Sequence, residues 1–120
     1  MVVKVLQLVK TSVGASWAQL QMRKLVEHGV EVHVALPSGG PRIDGYREAG
    51  IQVHDLSYPL APAGLVRNGL RLRSLHREIR PDVVHSWFAQ TTLYARLFLR
   101  SSGTPRIFQV PGPLHLESPL

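Results

Sequence analysis

The chain has 120 residues, no cysteine and 44% hydrophobic residues, enough for one folded core and too apolar for a disordered segment. Without cysteine, a disulfide framework and a thiolate metal site are excluded, and a reducing compartment is permitted. Fourteen lysines and arginines stand against eight acids, for a net charge of +6.

The opening MVVKVLQLVK is interrupted by Lys4 and Lys10, which leaves too short an apolar run for a secretory leader. Nowhere do roughly 18 uninterrupted apolar residues occur, the minimum for a bilayer span. A soluble, cytoplasmic protein is expected. Residues 2–9, rich in Val and Leu, read as a strand buried on both faces. The loop TSVGAS follows, with Ser12 or Ser16 placed to cap a helix. Over 17–28 the apolar Ala18, Met22, Leu25 and Val26 recur at helical spacing, and Gly29 suits the position just past the helix end. Residues 30–36 alternate as a strand that stops at Pro37.

Ser38, Gly39, Gly40 and Pro41 form a loop. A helical turn over 46–49 leads through Gly50 to a third strand at 51–56. A proline-bearing connection at 58–62 crosses to a long helix over 64–79, whose core stripe is Leu65, Leu72, Leu75 and Ile79. Pro81 ends it. A short strand at 82–85, a helix over 88–100 and a fifth strand at 106–110 complete the order, followed by the loop PGPLHLESPL. Strands alternating with helices imply a parallel sheet wrapped on both faces, because parallel neighbours need crossover connections.

Residues 1–60 hold six basic and five acidic side chains, whereas residues 61–120 hold eight and three. Arg67, Arg71, Arg73, Arg77 and Arg80 fall within fourteen residues of the long helix and its end. Such asymmetry points to an anionic partner, whether nucleic acid, membrane or phosphorylated ligand; it reads equally as a solvated helix face.

In sheets of this kind ligands collect beyond the carboxyl ends of the strands. Three segments lie there. TSVGAS offers Gly14 and backbone N–H groups at a helix start, where the helix dipole favours anions, although neither a dinucleotide fingerprint nor a P-loop is present. His85, Trp87 and Phe88 follow the fourth strand, where aromatic rings suit a sugar or lipid and His85 suits proton transfer; Trp87 and Phe88 read equally as core. His115 lies in a Pro-Gly loop after the fifth strand, a reasonable place for a general base and equally for an idle surface histidine. His33 and His54 read as sheet residues, His28 and His76 as helix residues. No metal site and no nucleophile motif stand out.

Taken together, the pieces resemble the N-terminal, acceptor-binding domain of family 4 glycosyltransferases, which have the two-domain GT-B architecture. The matching features are SVGAS, HGVEVHVALPSGGP at 28–41, AGIQVHDL at 49–56, IRPDVVHSW at 79–87 and GTPRIFQVPGPLHLES at 103–118. The resemblance spans nearly the whole chain and implies a Rossmann-like open parallel sheet of about five strands. It further implies transfer of a sugar from a nucleotide-sugar donor to an acceptor hydroxyl, without a metal or other cofactor. Val13, Gly14 and Ala15 match the loop near donor phosphates and acceptor, and His85 with Trp87 the acceptor-side wall. Where the family often carries a His-Gly pair, Pro111 and Gly112 stand here and the nearest imidazole is His115, the candidate catalytic base.

On this resemblance residues 1–120 form an incomplete first domain without the family's donor-binding domain, and the chain alone is expected to be inactive. The implied acceptors are glycans or lipid-linked saccharides of cell-surface polysaccharide or glycolipid synthesis. Arg67, Arg71, Arg73 and Arg77 would then contact anionic lipid at the inner face of the plasma membrane, at roughly 1 kcal/mol each. A basic module that binds nucleic acid or membrane without catalysis is the alternative. No nucleic-acid-binding motif supports it, and the aromatics are not interleaved with the basic residues. A flavodoxin-like module would want acids after the first strands, where Thr11 and Pro37 stand.

Overall fold

A computed structural model describes residues 2–11 and 16–109. Its elements are β1 (Lys4–Leu8), α1 (Ser16–Glu27), β2 (Glu31–Leu36), α2 (Ile43–Glu48), β3 (Gln52–Asp55), α3 (Pro62–Ile79), β4 (Val83–Ser86), α4 (Ala89–Phe98) and β5 (Arg106–Phe108). The five strands form one parallel sheet in the order β3-β2-β1-β4-β5.

Register sorts the strand side chains onto two faces. Val5, Gln7, Val32, Val34, Val83, His85 and Ile107 share the first face, since they pair across neighbouring strands. Here Val32, Val34 and Leu36 pack with Ala18 and Met22 of α1 and with Ile43 and Tyr46 of α2. Leu6, Leu8, Ala35 and Val84 on the second face pack with Leu72, Leu75 and Ile79 of α3 and with Tyr94 and Ala95 of α4. Where α3 meets α4, Gly69 is buried and a Cβ there would stand 2.1 Å from the Phe98 ring, so only glycine admits that ring.

Local chemistry explains the boundaries. Gly29 takes φ +86 after α1, a conformation costly for any residue with a Cβ. Ser16 is already helical, so it is not the residue preceding the helix, and Ser12 lies outside the described residues. α2 begins earlier than its expected turn because Ile43 and Tyr46, three apart, dock together in the core. Pro62 opens α3, where its fixed φ suits the first helical turn. β4 starts after Asp82, whose carboxylate accepts the Lys4 backbone N–H at 2.8 Å.

Candidate functional site

The strand order reverses between β1 and β4: β1 feeds α1 over one face, and β4 feeds α4 over the other. A crevice at the carboxyl ends of these two strands follows from that geometry. At its mouth stand Trp17 near the start of α1, Lys10 just after β1, and Phe88, which precedes α4 in an extended conformation. The Trp17 and Phe88 ring centroids are 5.8 Å apart, nearly edge to face, and the Lys10 ammonium sits 4.9 Å over the Phe88 ring. Trp17 keeps 38% of its surface exposed and Lys10 is exposed. An aromatic surface beside a cation suits the C–H face of a sugar next to a phosphate.

Of the two readings open for Trp87, stacking platform or core, the fold takes the core one. Its exposure is 0%, its ring lies 5.0 Å from that of Trp17, and its Nε1–H donates to Oε1 of the buried Gln7. The buried ring therefore supports Trp17 from beneath, and Trp17 supplies the accessible face.

His85 stacks on Trp87 with centroids 4.5 Å apart and planes inclined by 24°. It pairs in register with Gln7 and Ile107, so it lies one residue inside the crevice on the α1 side. Burial lowers its pKa from the ordinary histidine value, and a side-chain hydrogen bond with Gln109 pulls the other way. Burial thus favours the neutral ring. Its Nε2 and the neighbouring Gln7 Nε2 are buried with no partner among the described residues. Both residues line a groove of about 360 Å³ whose remaining wall includes Val5, Val83, Leu25 and Ile107. A neutral imidazole with one free nitrogen can accept a proton or hydrogen-bond a hydroxyl there.

The structure thus brings His85 and Trp87 together, while Val13, Gly14, Ala15, Gly112 and His115 lie outside the described residues. Three residues of the assembled site were not among the expected site residues: Gln7, Lys10 and Trp17. Gln7 carried a signal, as a lone amide inside the apolar run VLQLV that must find a buried partner. His33 and His54 are sheet residues as expected, and they hydrogen-bond each other at 3.0 Å while His33 Nε2 meets the Glu31 carboxylate at 2.7 Å. That hydrogen bond is the main cause holding Glu31 below its usual pKa. Among the described residues no group of three His, Asp or Glu is placed to hold a metal.

Sheet order, coverage of both faces and the crevice at the switch point define a Rossmann-like α/β domain. The crystal structure of MurG from Acinetobacter baumannii has the same fold: TM-score 0.74 at 14% identity, covering 90% of this chain and 35% of the MurG chain. This chain therefore matches only about a third of MurG's length. No curated protein matches the sequence significantly. The family model of Glycosyltransferase Family 4 matches residues 17–117, and the chain belongs to that family.

Proposed function

We propose that this chain provides the N-terminal, acceptor-side part of a glycosyltransferase, acting with a donor-binding domain that holds a nucleotide sugar. The observation that carries this reading is the Trp17, Phe88 and Lys10 cluster at the carboxyl ends of β1 and β4, in a family 4 chain. The acceptor is a saccharide or lipid-linked saccharide of cell-surface polysaccharide or glycolipid synthesis, with a sugar ring lying on Trp17. His85 orients an acceptor hydroxyl through its free nitrogen, and Trp87 holds both rings in place. Val13, Gly14, Ala15 and Gly112 are the further proposed contacts to donor and acceptor, on the family resemblance.

In the transfer, the acceptor oxygen bonds to the anomeric carbon as the bond to the nucleoside diphosphate breaks. His115 is the proposed base that takes the hydroxyl proton. Lys10 and the start of α1 balance the charge on the departing diphosphate, so the reaction needs no metal. The 120-residue chain alone is proposed not to turn over.

The proposed location is the cytoplasmic face of the plasma membrane. No helix of the described residues is long and apolar enough to cross a membrane. Contact with anionic lipid is assigned to the α3 arginines, which the fold divides: Arg71 donates from Nε to the Asp55 carbonyl at 2.9 Å, while Arg73 and Arg77 lie toward α4.

Titration of tryptophan fluorescence with lipid-linked and free oligosaccharide acceptors tests the reading. Saturable quenching is expected, with Trp17→Ala weakening it about tenfold. Equal binding by Trp17→Ala would remove the acceptor site from this crevice, and sugar transfer by the chain alone would overturn the division of labour.

A further inference from the structure

At the opposite, amino edge of the sheet, the chain forms a second concavity of about 610 Å³. Arg73, Arg77 and Arg80 line it from α3 and its end, and Ser101, Ser102 and Thr104 line it from the connection between α4 and β5. Spacings of four and three residues put the three arginines on one flank of the helix, with His76 beside them. His76 Nε2 and Thr104 Oγ1 are 2.8 Å apart, Ser102 Oγ donates to the Leu99 carbonyl at 2.7 Å, and the Thr104 N–H donates to Ser102 Oγ at 3.2 Å. These bonds build a fixed wall opposite the arginines.

Three guanidinium groups around one cavity repel one another unless an anion or a carboxylate lies between them. No carboxylate lines this cavity: Asp82 is engaged by the Lys4 backbone, and among the described residues none of the three arginines forms a salt bridge. Arg80 adds an independent observation. It closes α3 with φ 53 and ψ 60, the left-handed conformation usually given to glycine, and it is the only non-glycine residue with positive φ among those described. Arginine thus stands at a cavity-lining position where glycine would be easier on the backbone.

We propose that this cavity is a binding site for a phosphate monoester or diester, separate from the transfer crevice at the other edge of the sheet. Planar guanidinium groups donate paired hydrogen bonds to tetrahedral oxyanions, and Phe98, Leu99 and Pro81 give an apolar floor for the group that carries the phosphate. The phosphate is either that of a soluble ester or that of a lipid headgroup. The second source has a structural basis, because Val66 and Leu70 continue the arginine flank along α3 and are exposed.

The full chain is titrated with inorganic phosphate and glycerol phosphate by calorimetry, and sedimented with phosphatidylglycerol or phosphatidylcholine vesicles. Saturable binding is expected, weakened about tenfold by Arg77→Gln. Arg80→Gly should also weaken it while holding or raising Tm, because glycine relieves the left-handed backbone, so lost binding cannot come from unfolding. Arg23→Gln, exposed on α1 over the other face of the sheet, should bind as the parent does. Saturation by the soluble phosphates assigns a small ester, and saturation only on phosphatidylglycerol assigns the headgroup. No saturation with any probe overturns the site. So does equal weakening by Arg23→Gln and Arg77→Gln, which would mean diffuse charge.

Discussion

The two faces of the sheet differ in how fully their polar groups are satisfied. On the α3–α4 face the Tyr58 hydroxyl donates to the Ala35 carbonyl at 2.6 Å, the Tyr94 hydroxyl to Pro59, and Ser86 and Thr92 share a hydrogen bond at 2.7 Å. On the α1–α2 face Gln7 Nε2, His85 Nε2 and the Tyr46 hydroxyl are buried without partners among the described residues. Each such group costs about 1–3 kcal/mol. The first face is organised for stability. The second carries part of that cost, at Gln7 and His85, in the groove they line, where a ligand's polar atoms would find partners already in place.

The largest effect that would sharpen this contrast is a cavity on the closed face. Leu72, with 0% exposure, should lose about 3 kcal/mol when changed to Ala, whereas half-buried Leu25 beside the groove should lose about 1 kcal/mol. Chemical denaturation measures both, and equal losses would erase the distinction.

Two matched hydroxyl deletions probe the same contrast at smaller scale. Tyr58→Phe removes a satisfied buried bond and should cost about 1 kcal/mol. Tyr46→Phe removes an unpartnered hydroxyl and should cost nothing or stabilise by a few tenths of a kcal/mol. A comparable loss at Tyr46 would mean that its hydroxyl has a partner in solution.

The smallest effect is a pH slope. Burial lowers the His85 pKa, so the unfolded chain binds the proton first as pH falls. The stabilisation from keeping His85 neutral is complete above about pH 6.5 and is lost as pH drops through the lowered folded value. Melts between about pH 7.5 and about pH 5 should show a shallower slope in His85→Gln. His54 and His76, also lowered by burial, supply the remaining slope. An unchanged slope would place the His85 ring in water.

Much of the architecture was legible in the sequence. Alternation at 30–36, the helical stripe Ala18–Met22 and Gly29 each act locally, so local pattern placed β2 and α1 within a residue or two. The site was less legible, because its contacts join distant segments. Trp17 meets Trp87 and Phe88 only once β1 and β4 are neighbours, and no local spacing encodes that adjacency. For the same reason the sequence leaves Trp87 open between a stacking surface and core, and the fold buries it. The arginine-rich helix looked like one basic face, whereas packing against β3 and α4 splits it into two flanks.

β5 has one further consequence, for behaviour at high concentration. It is a three-residue outer strand whose Ile107 and Phe108 are 53% and 45% exposed. Among the described residues no strand pairs its outer row of peptide groups, a seam onto which another extended chain can add. The net charge of +6 keeps copies apart at low ionic strength, and salt, with a Debye length near 8 Å at about 0.15 M, weakens that repulsion. Self-association should therefore grow with added salt, and an acidic residue in place of Phe108 should suppress it.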